Sequence, residues 1–327
     1  MMELLIEYAL FAAKALTLVA ALLILWGGIT ALSARQSGHG GRERIDVRHL
    51  NAHYDAMATR LQAAMLPRKA LRRWRKTRQR KPDDERLRIF VLNFAGDMRA
   101  SAVSALREEI TTLLSAARTG DQVVLRLESA GGQVHSYGLA ASQLLRLKAR
   151  QLPLTVVIDK VAASGGYLMA CVADRIIAAP FAIVGSIGVI AQLPNFHRWL
   201  KKNEVDFEQL TAGEYKRTLT LFGENTDEDR QKMQADLEDI HALFKEFVTE
   251  HRPILAIDQV ATGEFWYGQR ALEKQLVDEL RTSDDYLLAA SQDAELFEVT
   301  CKTRKPLTAR LLQQAGQILD LRNPLFK

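Results

Sequence analysis

From residue 86 onward, short unbroken apolar runs alternate with longer stretches whose apolar positions recur every three or four residues. RLRIFVLNFAG (86–96), DQVVLRLES (121–129) and PLTVVIDKV (153–161) predict strands, as do the shorter runs DRIIAAP (174–180) and VGSIGVI (184–190). Residues 101–118, 136–150 and 164–172 have helical spacing, and 226–248 reads as a long charged helix opened by a Thr-Asp cap. A further strand is expected around 207–210, and an amphipathic helix over 307–321. Continuous Val/Ile runs separated by helices predict an α/β protein whose parallel strands are buried on both faces.

The N-terminal region follows another pattern. ALTLVAALLILWGGITALSA (15–34) carries no charge, and a helix of that length spans roughly the 30 Å of a hydrocarbon core. Glu3 and Glu7 precede it, where a cleaved leader would carry a basic start. An uncleaved transmembrane anchor (1–35) is therefore expected. Gly38, Gly40 and Gly41 break it, and residues 36–86 read as a basic juxtamembrane linker ending at Pro82-Asp83-Asp84. A folded domain over 87–285 and a strand/helix tail over 286–327 complete the expected division.

Charge changes this picture in one place. The formal net charge is +5, from 44 Lys+Arg and 39 Asp+Glu, but nine of the basic residues sit in RKALRRWRKTRQRK (68–81), which has no acid. The remainder is mildly acidic. A basic block beside a membrane segment suits anionic headgroups. Trp74 is the only aromatic in the run, which leaves no stacking platform for nucleic acid. Membrane lipids, through 15–34 and 68–81, are the expected partners and nucleic acid is not. Arg35, Arg42, Arg44 and Arg48 follow the apolar run and favour a cytoplasmic body. The composition, 48% hydrophobic and 25% charged, is that of a globular protein. Two cysteines, Cys171 and Cys301, with no CxxC or HExxH, give no disulfide framework and no zinc motif. No metal or other cofactor is expected.

Two strand ends could carry chemistry. Glu128-Ser129-Ala130-Gly131-Gly132 places paired glycines after a strand, either as a tight turn or as a loop whose N–H groups face a ligand. Ala162-Ala163-Ser164-Gly165-Gly166 places a serine between strand and helix, either as an N-cap or as an exposed nucleophile. The nucleophile would need a base. His197, His241 or His251 with Asp236 or Asp239 is one choice, although His241 and His251 read as surface residues. Lys216 is the other, and a lysine serves only when its amine is kept neutral.

Together these segments resemble the S49 family of membrane serine proteases, the signal peptide peptidase A group. The resemblance is carried by LRLESAGGQVHSYGLAASQL (125–144), DKVAASGGYLMACVADRIIAAP (159–180), VGSIGVIAQLPNF (184–196), TAGEYKRTLTLFGENT (211–226) and ATGEFWYGQRALEKQLVDEL (261–280). It implies a ClpP/crotonase-like fold of repeated β-β-α units. It also implies a serine-type endopeptidase with a Ser–Lys dyad: Ser164 as nucleophile, Lys216 as general base and Ser186 holding the lysine amine. Gly132 would supply the oxyanion hole, with Gly165 as a second donor. Hydrophobic or signal-peptide-like peptides are the implied substrates, a homo-oligomer the implied assembly, and the bacterial inner membrane the implied location, with the body outside the cytoplasm. A catalytically silent, anchored scaffold of the same fold is the alternative. The family usually has Pro where Ala130 stands and Gly where Gln275 stands.

Overall fold

The structure, a computed structural model, describes residues 44–78, 86–213 and 215–302, together with scattered helical positions between residues 6 and 21. The expected anchor, apart from those positions, and the expected helix over 307–321 lie outside the described residues. No helix among the described residues is long and apolar enough to cross a membrane. Residues 45–301 form one compact unit.

The central strands are β2 (Leu87–Gly96), β3 (Gln122–Ser129), β4 (Leu154–Ile158) and β6 (Arg175–Ala178), separated by α3 (Val103–Ala116), α4 (Val134–Ala149), a short β5 (Val161–Ala163) and α5 (Gly165–Ala170). All ladders among them are parallel. Successive residues of a strand face opposite sides, and here both sides are apolar. Leu92, Phe94, Leu125, Leu127, Val156 and Ile158 pack with α3 and α4, while Ile89, Val91, Val124, Val157 and Ile177 build a second core. Burial on both faces explains why these runs lack alternation.

Three departures from the sequence reading matter. The run 153–161 is not one strand. Asp159 accepts hydrogen bonds from the N–H and hydroxyl of Ser283 (2.7 and 2.5 Å), and the chain turns there. β5 then pairs with the end of β3 and with β7 (Ile183–Gly185), starting a branch that β8 (Phe265–Tyr267) closes antiparallel. The run 184–190 stops at Gly185, whose φ of +103° turns the chain out of the sheet. The strand expected at 207–210 is absent, and that stretch is irregular and exposed.

Part of the expected linker belongs to the sheet. β1 (Arg44–His49) sits at its edge beside β10 (Ala294–Lys302), which pairs in parallel with β2. α1 (Leu50–Met65) follows directly. Buried Asn51 donates to the carbonyls of Ser291 (3.0 Å) and Ala294 (2.9 Å) and accepts from Leu296 N–H (2.8 Å). One side chain thus joins segments about 245 residues apart, and no local pattern in either announces it. α2 (Arg68–Arg78) completes this region.

The C-terminal third supports the centre. After α6 (His197–Lys202) comes α7 (Asp227–His251), which starts at the expected cap: Thr226 Oγ1 accepts from Asp229 N–H while Asp229 accepts from Thr226 N–H. It ends at buried Arg252, which donates to the Gln275 carbonyl (2.9 and 2.6 Å) and pairs with Asp278 (2.8 Å). Between them lie α8 (Ile257–Val260) and α9 (Gly268–Glu273). β9 (Glu279–Leu280) and α10 (Ser283–Ala290) follow. Gln275 has φ +61°, the left-handed conformation that ends helices and favours glycine. That is a physical reason for the family's glycine there.

Two outcomes follow. Gln275→Gly should raise stability by about 1 kcal/mol, or roughly 2–4 °C in Tm for a body of this size, read by thermal unfolding. Glu109, on α3, is buried and accepts from Cys301 N–H (2.7 Å). Burial raises its pKa, opposed by that hydrogen bond. The native state therefore holds this proton more tightly than the unfolded chain. Its contribution is full below the ordinary carboxyl range and is lost as pH rises through the raised value. Glu109→Gln should thus be more stable than the parent at about pH 8, and the gap should close towards about pH 4. Urea unfolding at both pH values measures it.

Candidate active site

Ser164 stands between β5 and α5 with φ +50° and ψ −119°, a conformation that non-glycine residues rarely adopt. Its N–H donates to Gly185 O (2.8 Å) and its carbonyl accepts from Leu168 N–H (2.9 Å). β5 is paired on both sides, so the strain is held by the sheet branch rather than by the serine itself. Its side chain has no hydrogen-bond partner among the described residues, so no N-cap bond forms. The ladder pairs Ala163 with Gly185 and so delivers Ser164 and Ser186 together at the ends of neighbouring strands. Ser186 also has a left-handed backbone (φ +51°). Its N–H donates to Glu264 O (2.6 Å) and its hydroxyl to Gly263 O (3.3 Å).

The Gly131–Gly132 loop lies against the serine. Gly131 has φ +90°, and a Cβ there would stand 2.8 Å from Ser164 Cβ and from Gly165 N, so only glycine fits. A Cβ on Gly132 would meet the Met98 carbonyl at 2.1 Å. Three successive N–H groups behave differently. Gly131 N–H donates to Ser129 Oγ (3.0 Å) and Gln133 N–H to Met98 O (2.9 Å). Between them, Gly132 N–H has no acceptor among the described residues. Gly165, as the first residue of α5, also has no intrahelical acceptor for its N–H.

Beneath the loop is a group that no motif announced. Tyr137 is fully buried, and its hydroxyl donates to Asp97 O (2.8 Å). A phenol has one proton to give, so the 2.5 Å contact with Ser129 runs from the serine to the tyrosine. Ser129 then accepts from Gly131. The same ring presses on Gly165, where a Cβ would meet it at 2.4 Å. Burial raises the Tyr137 pKa, so the phenol stays protonated. Asp97 is itself held by Ser101 and Arg99, and the Ser101 hydrogen bonds keep its carboxyl below the usual range. The only sequence hint was a tyrosine on the buried face of α4. Cys171 is equally buried at the end of α5. Burial pushes its thiol up to about 12, so it is no competing nucleophile.

Lys216 makes no hydrogen bond to Ser164 among the described residues. It lies exposed in an irregular stretch, and its amine makes no hydrogen bond or ion pair among the described residues. The base of that stretch is tied down by Asn195, which donates to Thr220 O and Gly223 O (both 2.9 Å), and by Phe196 N–H to Leu221 O (2.7 Å). None of His197, His241 and His251 hydrogen-bonds Ser164 among the described residues. His241 is half-buried rather than a surface residue, and its Nε2 is buried with no hydrogen-bond partner among the described residues. His251 packs edge-on against Phe247 at 4.4 Å, and Asp236 is paired with Lys232 rather than with a histidine.

The chain matches the model of the peptidase family S49 N-terminal region over residues 3–144 and that of peptidase family S49 over residues 146–297. It is similar to the Haemophilus influenzae protein described as "Probable protease SohB", with 54% identity over 235 residues, 72% of this chain and 67% of that one. A protein of Buchnera aphidicola subsp. Schlechtendalia chinensis with the same description is 46% identical over 306 residues, covering 88% of this chain and 100% of its own.

Tyr137→Phe should leave the ring packing intact while removing the partner of Ser129 and of the Asp97 carbonyl. A loss of about 1–2 kcal/mol in unfolding free energy is expected. Hydrogen exchange should quicken at Gly131 more than in α4.

Proposed function

This chain belongs to peptidase family S49, and on that premise we propose that it is a membrane-anchored serine endopeptidase acting through Ser164 and Lys216. Residues 15–34 are the anchor. The body would be a ClpP/crotonase-like assembly of β-β-α units, a reading supported by the way β4, β5 and α5 divide between the main sheet and its branch. Hydrophobic or signal-peptide-like peptides are the proposed substrates.

Lys216, as the neutral amine, takes the proton of Ser164 Oγ as that oxygen attacks the scissile carbonyl. The N–H groups of Gly132 and Gly165 hold the negative charge that develops on the carbonyl oxygen. The lysine, now an ammonium, gives its proton to the departing amine. Water activated by the same amine then releases the acyl group. Ser186, next to Ser164 by register, accepts a hydrogen bond from the amine and orients it. The observation that carries this reading is the strained Ser164 beside a glycine loop whose middle N–H has no acceptor among the described residues.

The position of Lys216 bears on assembly. Ile190, Leu193, Phe196, Trp199, Phe207 and Leu210 all lie exposed in the same region. Apolar exposure on that scale suits coverage by another protein surface. A homo-oligomer covers it in this reading and brings Lys216 out of water at a serine. The catalytically silent scaffold is the rival reading, and the exposed lysine is the observation that favours it.

Ser164→Ala should lower cleavage of a signal-peptide-like substrate by about three orders of magnitude or more while leaving Tm unchanged. Lys216→Ala should be equally inactive, and Lys216→Arg should not restore turnover, because arginine does not release its proton. Full activity in the Ser164 variant would sink the assignment. A parent protein that a serine-reactive probe fails to label would favour the scaffold.

A further inference from the structure

The first two helices combine features that the peptidase chemistry does not use. α1 is held to the body at its start, where Leu50 and Asn51 are buried and Tyr54 packs on the second core. Beyond that point Met57, Leu61 and Met65 are 55, 62 and 66% exposed. At spacing i, i+4, i+8 they form one apolar stripe along the helix. Leu66 and Pro67 end α1, and α2 begins at once. α2 contains seven basic residues and no acid. Arg68, Lys69, Arg72, Arg73, Arg75 and Lys76 are exposed, and none of them forms an ion pair with a described residue. Ala70, Leu71 and Trp74 are its half-buried apolar positions. The only acid in residues 50–78 is Asp55.

We propose that α1 and α2 form an arm that docks on an anionic phospholipid surface, with the Met57–Leu61–Met65 stripe in the interface and the arginines and lysines on the phosphates. Apolar side chains beside a dense basic face are the composition of helices that lie in the headgroup region. Long basic side chains can lay their methylene stems along apolar surface while their heads reach phosphate. Nucleic acid would satisfy the charges but would leave the stripe in water. A second copy of the arm would set like charges against one another. The proposal rests on the membrane-anchored reading above, since the anchor brings the arm to the bilayer.

The test uses the full chain in nanodiscs, either of phosphatidylcholine alone or with about a third phosphatidylglycerol. Incorporation is checked first by co-elution with the disc. Hydrogen exchange over residues 55–78 should be at least about tenfold slower in the anionic discs. That protection should fall at about 0.5 M salt. Arg72→Glu/Arg73→Glu/Lys76→Glu should abolish the lipid dependence. Met57→Ser/Leu61→Ser/Met65→Ser should reduce protection in anionic discs while peptide cleavage stays unchanged. Equal exchange in both discs, with the chain incorporated, would overturn the arm. Protection by duplex oligonucleotide but not by anionic lipid would reassign it to nucleic acid and overturn it as well. A chain that does not enter discs would instead refute the anchor. The arm would then be judged by binding of the same chain to preformed vesicles of the two compositions, where equal binding overturns it.

Discussion

A serine cannot hold φ +50° unless the structure on both sides forces it to, and the rest of the site depends on that constraint. The force comes from the branch in the sheet. β5 is three residues long, yet it is paired with β3 on one side and with β7 on the other. The Gly185 carbonyl holds the Ser164 N–H, and α5 holds its carbonyl. The hydroxyl is left without a partner among the described residues, at the point where two strands and a helix meet. A longer β4 that ran straight on would have buried the same serine in an ordinary ladder.

Two buried polar groups keep that junction from relaxing. Tyr137 links the Asp97 loop to the glycine loop beside Ser164 through a hydroxyl relay that ends at Gly131. On the other side of α5, Tyr167 donates to Leu276 O (3.0 Å), in the turn that Arg252 holds through Gln275 and Asp278. Buried polar groups are costly when unpaired. Here each is saturated, and together they fix α5 against both the glycine loop and the C-terminal third. The cost of left-handed backbone at Ser164, Ser186 and Gln275 is offset by this rigidity.

The surface is organised differently. The stretch around Lys216 exposes large apolar groups and little regular structure. The α1–α2 arm exposes an apolar stripe and a basic face. Neither belongs to the saturated interior, and under the two proposals above each has a different partner: another copy of the chain for the first, an anionic lipid surface for the second.

Periodicity alone determined much of this protein. The strands at 86–96, 121–129 and 174–180, the helices around 101–118 and 136–150, and the Thr226 cap are local patterns, because burial of one face imposes a repeat on the residues that supply it. Ser164 and the glycine pair were legible for the same reason, as breaks at strand ends. Tertiary structure decided what no window of neighbouring residues contains. It divided 153–163 between two ladders, and it drew β1 and β10 into the sheet through Asn51. It consumed the N–H groups of Gly131 and Gln133 while leaving that of Gly132 without an acceptor among the described residues, and it set Lys216 in solvent. Each of these is a matter of which partner, distant in sequence, takes a given hydrogen bond or covers a given side chain. A linear pattern records that a residue is buried, but not against what.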